Sequence, residues 1–228
     1  MNNCFIILAA GESKRFNSKI PKPYSIYKGK PLIVHSIDKA KNYKRINKIV
    51  LVINKKHLIY VKKLNLKNIK IIIGGKTRAE SAFFALRSIK NDRFKNVMIH
   101  DAARPNFSVK LLDKLTNELN SNDCVVPAIQ TVDSIKEKLL KKFRNLKREN
   151  IYFTQTPQAF NYKKLCQLQN NNSSEITDDA NLFIESGNKI KIIKGESTNN
   201  KITLKTDIKK EDSIKYGIGF DVHRLVPK

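Results

Sequence analysis

The sequence predicts an α/β fold: a doubly wound, mostly parallel sheet covered on both faces, with a β-arm projecting from it. Short β-branched runs alternate with segments of helical periodicity. The runs are almost continuously apolar, as strands buried on both faces are. With 228 residues the chain can bury one substantial core, so one main domain is expected, over 1–214.

Strands are predicted at 4–9, 48–53, 69–73, 96–100 and 123–126, and helices between them at 31–41, 77–89 and 109–119. After Pro127 the rhythm changes. Residues 133–148 hold two short alternating segments around 138–142, which predicts the arm, at about 133–150. The chain should then return with a strand at 151–154, a helix from Tyr162 and a second helix starting at Thr177. Thr177 would cap that helix, with Asp178 and Asp179 favouring its dipole. A strand at 189–193 and a last helix near Asp207 complete the expectation, and the Asn- and Ser-rich stretch 170–174 reads as a loop.

A hydrophobic fraction of 40% with 29% charged residues is that of a globular protein rather than a disordered tail or a fibre. No apolar run approaches the roughly 20 residues that cross a bilayer, and the start reads as a first strand, so no membrane and a cytoplasmic location are expected. Cys4, Cys124 and Cys166 are odd in number, far apart and without a Cys-x-x-Cys pair. They read as reduced thiols, neither a disulfide framework nor a zinc knuckle. The net charge of +25 also suits a nucleic-acid-binding protein, the alternative from another class. That reading needs clustered Lys or Arg with interleaved aromatics, whereas the positive residues are dispersed along the chain, so no nucleic acid is expected as partner. Such a field still favours encounter with multiply charged anions.

Three segments carry candidate chemistry. The first strand runs into Ala9-Ala10-Gly11-Glu12-Ser13-Lys14-Arg15, then Pro21-Lys22-Pro23. Small residues at a strand's carboxyl end let backbone N–H groups approach a ligand, and Arg15 and Lys22 add the positive charge that a triphosphate needs. The segment also reads as a tight strand-to-helix turn with solvated cations. Neither Gly-x-Gly-x-x-Gly nor a Walker lysine motif is present. The second segment, Gly74-Gly75-Lys76-Thr77-Arg78-Ala79-Glu80-Ser81, offers paired glycines beside a base edge, or merely a capped βα turn. The third, His100-Asp101-Ala102-Ala103-Arg104-Pro105, places a carboxylate at the end of a buried strand, able to hold Mg²⁺ or a sugar hydroxyl. Arg104 could fork onto a phosphate or pair structurally with Asp101. His100 reads as a packed residue, because an already anionic nucleophile needs no general base.

Taken in order, these segments resemble the 2-C-methyl-D-erythritol 4-phosphate cytidylyltransferase family. The likeness continues through Asp133-Ser134-Ile135-Lys136, Thr156-Pro157-Gln158, Thr177-Asp178-Asp179-Ala180 and Asn200-Lys201-Ile202-Thr203, and so covers nearly the whole chain. It implies a Rossmann-like nucleotidyltransferase that takes CTP and a sugar-alcohol phosphate with Mg²⁺. Arg15 and Lys22 would stabilise charge on the transferring phosphorus. Ala9, Ala10, Gly11, Gly75 and Ser81 would surround the nucleotide and read its base, with Ala102 by the ribose. Asp101, Arg104, Ser134 and Thr156 would contact the acceptor, while Arg148 and Lys201 hold its phosphate. Arg148 sits on the arm that in such enzymes reaches into a neighbouring subunit, which implies a homodimer with arm exchange. Another polyol phosphate, such as ribitol 5-phosphate, is the alternative acceptor. Three positions depart from the pattern: Ser13 replaces a frequent glycine, Ser134 a usual Thr, and Lys76 an often acidic residue.

Residues 216–224, Tyr-Gly-Ile-Gly-Phe-Asp-Val-His-Arg, resemble the opening of 2-C-methyl-D-erythritol 2,4-cyclodiphosphate synthase, with Asp221 and His223 matching its divalent-metal ligands. A bifunctional fusion of the two enzymes is thereby implied. Two ligands fall short of the three protein ligands that stable zinc needs. Residues 215–228 are therefore expected to be a remnant of the second module without its activity.

Overall fold

The computed structural model describes residues 2–140, 142–170 and 178–209. In chain order, β1 (Asn3–Ala9) leads through a small hairpin, β2 (Ile26–Tyr27) and β3 (Lys30–Pro31), into α1 (Leu32–Asn42). The elements β4 (Lys48–Ile53), α2 (Leu58–Lys63), β5 (Ile69–Ile73), α3 (Arg78–Ser88), β6 (Asn96–Asp101), α4 (Val109–Glu118) and β7 (Cys124–Ile129) follow. Next come the arm strands β8 (Ile135–Leu139) and β9 (Lys142–Leu146), then β10 (Phe153–Thr154), β11 (Gln158–Asn161), α5 (Tyr162–Asn170), α6 (Asn181–Glu185), β12 (Lys191–Lys194) and α7 (Lys205–Lys209).

The main sheet runs β10-β7-β11-β6-β1-β4-β5, with β12 also paired to β7. Pairing is parallel for β1 with β4 and β6, β4 with β5, and β7 with β12; it is antiparallel where β11 meets β6 and β7 and where β10 meets β7. The sheet is therefore mostly parallel. Strand alternation divides the core between its two faces. From β1, Phe5, Ile7 and Ala9 enter one cluster with Ile33 and Ile37 of α1 and Leu111, Leu112 and Leu115 of α4. Cys4 and Ile6 enter the other with Ala82, Ala85 and Leu86 of α3, Leu165 of α5 and Phe183 of α6. Cys4 and Cys124 lie buried in this second core as free thiols, and Cys166 is partly buried. No helix among the described residues is long and apolar enough to cross a membrane.

Several boundaries differ from the expectation. Strand β6 extends by one residue, which makes Asp101 its last member. Strand β7 reaches Ile129, β10 is only Phe153–Thr154, and β12 runs over Lys191–Lys194. Strand β11 has no counterpart in the expectation, because a four-residue antiparallel filler between β6 and β7 is too short to show a period. Helix α2 is missed for the same reason of length. Helix α6 begins at Asn181, not at 177; Thr177 lies outside the described residues, and Asp178 Oδ1 accepts from the Asn181 amide at 3.1 Å. The arm strands pair only with one another, and Leu140 and Phe143 stand out in solvent.

Candidate active site

The carboxyl ends of β1, β5 and β6 open onto a cavity of about 1000 Å³, the edge at which open α/β sheets take their ligands. Ala9, Ala10 and Gly11 line it as β1 ends. Beyond them Ser13 sits in the left-handed region at φ 54 and ψ 36, where the resemblance expects glycine. A side chain there costs roughly 1–2 kcal/mol. The chain then enters a 3₁₀ turn in which Arg15 lines the cavity while its neighbour Phe16 is buried against Tyr27, Leu32, Ile202 and Ile208. This small second core draws the segment after Lys201 to the first loop. Lys22 Nζ donates to the Ile202 carbonyl at 3.0 Å, and the Ile202 amide donates to the Ala103 carbonyl at 2.8 Å. Burial, then the charges of Lys201 and Arg15, lower the Lys22 pKa from its ordinary value. Arg15, Lys22 and Lys201 thus meet at one cavity although the first and last are far apart in sequence.

On the facing side, β5 turns into α3. Thr77 Oγ1 accepts from the Glu80 amide at 3.0 Å, and the Glu80 carboxylate accepts from the Lys76 and Thr77 amides, a reciprocal capping box. Ser81 Oγ accepts from the Gly75 amide at 3.2 Å and donates to the Thr77 carbonyl at 2.9 Å. A Cβ at Gly74 would come within 2.5 Å of Ala10 Cβ and 2.7 Å of Ser81 Oγ. Close packing of the turn against β1's loop therefore requires glycine at 74. Gly75 and Ser81 both line the cavity.

Asp101 ends β6 inside the same cavity, with Ala102 beside it. Its Oδ2 accepts from Lys201 Nζ at 2.7 Å and its Oδ1 from Arg78 Nε at 3.3 Å. Burial alone would raise the Asp101 carboxyl, but Arg78 and Lys201 outweigh it and hold the group well below the usual carboxylate range. Arg78 continues to Asp179, whose Oδ2 accepts from Nη1 at 2.7 Å. Arg78 is the arginine of the Gly-Gly-x-x-Arg-x-x-Ser pattern that ends at Ser81, but the resemblance gives it no role; its partners lie 23 and 101 positions away, and no spacing rule links them.

Thr156 is buried and set behind Asp101, its Oγ1 accepting from the Asp101 amide at 3.0 Å. Arg104 does not pair with Asp101 in the way offered as its structural alternative. Its Nη1 donates to the Asn199 carbonyl at 2.7 Å and its Nη2 to that of Thr154 at 3.3 Å, which steadies the loop before Lys201. His100 is fully buried, with Nε2 3.2 Å from Ser36 Oγ and Nδ1 3.1 Å from Thr156 Oγ1. Burial takes its pKa down to about 3, so it stays a neutral packed residue.

Two expected site residues lie elsewhere. Ser134 and Arg148 are exposed on the arm, and Arg148 Nη1 donates to the Val132 carbonyl at 2.6 Å, outside this chain's own cavity. Asp221 and His223 fall outside the described residues. Among the described residues no group of three or more His, Cys, Asp or Glu is arranged to hold a metal ion.

Comparison with known proteins adds to this geometry. The family model for 2-C-methyl-D-erythritol 4-phosphate cytidylyltransferase matches residues 3–215. A protein of Pelagibacter ubique described as bifunctional enzyme IspD/IspF is 72% identical over the whole of this chain and 61% of its own length. One of the same description from Rhizobium leguminosarum is 32% identical over 96% of this chain and 60% of its own. The chain thus spans about three fifths of the length of the curated relatives it matches. Among solved structures, the bifunctional IspDF of Campylobacter jejuni superimposes with a TM-score of 0.80 at 35% identity, over 93% of this chain and 55% of that one. The 4-diphosphocytidyl-2C-methyl-D-erythritol synthase of Anaerococcus prevotii gives 0.81 at 30% identity, over 92% and 93%. The ordered motifs, the mostly parallel sheet and these likenesses agree: the chain belongs to the 2-C-methyl-D-erythritol 4-phosphate cytidylyltransferase family.

Proposed function

We propose that this chain transfers the cytidylyl group of CTP to 2-C-methyl-D-erythritol 4-phosphate, giving 4-diphosphocytidyl-2-C-methyl-D-erythritol and pyrophosphate. The carrying observation is the convergence of Arg15, Lys22 and Lys201 on one cavity, with Lys22 depressed by burial and by its cationic neighbours. Like charges held together are destabilising until an anion joins them, and a triphosphate supplies that anion.

A phosphate oxygen of the acceptor attacks the α-phosphorus in line, and the bond from that phosphorus to the bridging oxygen of the β-phosphate breaks. The nucleophile is already anionic, so the site has only to align the reactants and offset repulsion. Lys22 and Arg15 face the phosphates, Ala9, Ala10, Gly75 and Ser81 take the nucleoside end, and Asp101 accepts acceptor hydroxyls. Lys201 exchanges its bond to Asp101 for the incoming phosphate. Thr156 and Arg104 serve from behind, fixing Asp101 and the loop that carries Lys201.

Mg²⁺ belongs to this reading as a companion of the nucleotide. Both oxygens of Asp101 already accept from cations, so the described residues suit an ion held by phosphate oxygens and water better than one resident on Asp101. Its chemistry is to neutralise the polyphosphate. A homodimer completes the proposal: Arg148 and Ser134 stand away from their own cavity, at the base of a two-stranded ribbon with exposed Leu140 and Phe143, and a second copy would receive them. Its setting would be the cytoplasm.

The test is a panel of the four nucleoside triphosphates against methylerythritol phosphate and ribitol 5-phosphate with Mg²⁺, scored by product mass. Product with CTP and methylerythritol phosphate supports the reading. Turnover only with ribitol 5-phosphate moves the acceptor, and salt-sensitive binding of nucleic acid without any turnover overturns the enzyme reading.

A further inference from the structure

We infer that Arg78, held from behind by Asp179, is a positioning residue that keeps the Asp101 carboxylate ionised and aimed at the acceptor when Lys201 leaves it. This rests on the proposed reaction for its kinetic consequence, but the network itself is a matter of geometry.

Asp101 has two cationic partners of different kinds. The Lys201 side chain is 44% exposed on a flexible stem, so it can turn to an incoming phosphate. Arg78 cannot move in that way. It is the first residue of α3, directly after the Thr77 cap that fixes the helix start, and its guanidinium spans two carboxylates. The far one, Asp179, is only 2% exposed. Burial raises its pKa, with Arg78 opposing that, so its ionised form depends on this contact. The preceding residue, Asp178, braces other elements instead: its Oδ1 accepts from the Asn181 amide, and its Oδ2 from Thr154 Oγ1 and Gln158 Nε2.

When Lys201 turns to a bound phosphate, Asp101 loses a partner 2.7 Å away, and a carboxylate 14% exposed would drift upward in pKa or rotate. Arg78 prevents both, provided that its own orientation does not depend on Asp101. Asp179 gives it that independence, since the Nη1 bond at 2.7 Å is shorter than the Nε bond at 3.3 Å to Asp101. A Lys at 78 could not serve, because a single ammonium cannot address two carboxylates from separate edges of a planar fork.

The test compares Asp179→Asn, Arg78→Met and the double variant, each checked for native circular dichroism. Calorimetry with CTP and with methylerythritol phosphate should show acceptor affinity down at least tenfold in either single variant, CTP affinity within twofold of the parent, and the double variant no worse than Arg78→Met. Steady-state KM should divide in the same way, and Arg78→Lys should not restore acceptor affinity. Equal losses for both ligands, or additive losses in the double variant, would reduce the pair to a structural brace and overturn the proposal. The Asp101 carboxyl, followed by carbon NMR in parent and Arg78→Met protein, reads the network without any turnover. Its pKa should rise in the variant; no movement sinks the inference even if the transfer reaction stands. A rise in a protein that binds neither ligand would keep the network and discard the reaction.

Discussion

The ammonium of Lys22 is bonded to the backbone carbonyl of Ile202 at 3.0 Å, so the first cationic loop and the segment carrying Lys201 are fixed to each other rather than merely adjacent. The bond, with Phe16 and Ile202 in one small core, keeps three positive groups together against their repulsion. It leaves Lys22 poised between a neutral carbonyl and an anionic guest.

Lys22→Met should therefore fold and yet lose roughly a hundredfold in kcat, the effect of deleting one charge contact worth about 3 kcal/mol in a phosphoryl transition state. Pyrophosphate release under saturating CTP measures it. Normal turnover in a variant with native circular dichroism would remove Lys22 from the machinery.

If arms are exchanged, the two halves of a site come from different chains. Lys22→Ala and Arg148→Ala proteins, each nearly inactive alone, should then recover about a quarter of parental activity on mixing, because half of the random dimers are mixed and each has one intact site. Failure to complement, in proteins shown to exchange subunits, would place Arg148 in its own chain's chemistry or outside it.

Gly74→Ala should destabilise the fold by about 1–3 kcal/mol, since its methyl would press on Ala10 and Ser81 in a packed turn. Thermal unfolding reads the loss. An unchanged midpoint would mean that the turn yields freely.

His100 gives a prediction in pH. Its pKa lies at about 3 in the fold and near 6.5 in the unfolded chain, so between those values only the unfolded form is protonated. Stability consequently falls as pH drops through that window, by roughly 1.4 kcal/mol per unit from this one group. Urea unfolding at pH 7.5 and pH 5 should show about 2 kcal/mol of loss that His100→Asn removes from the slope, leaving the smaller shares of His35 and His57, whose pKa values burial also lowers. An equal slope in the variant would contradict the neutral buried form.

The sequence by itself determined the alternation of strands and helices, the capped turn at Thr77, the arm, and the identity of the loops that line the cavity. Each is written in neighbouring residues: apolar runs of strand length, a Thr where a helix begins, and small residues where a strand ends. Only the tertiary structure decided the partners. It set Asp101 between Lys201 and Arg78 instead of beside Arg104, turned Arg104 to the carbonyls of Asn199 and Thr154, hid Thr156 behind the strand end, and slipped β11 between β6 and β7. Ion pairs and strand order join residues tens to a hundred positions apart. Their choice depends on where twisted strands and packed helices deliver each side chain, a sum over the whole core that no local pattern records.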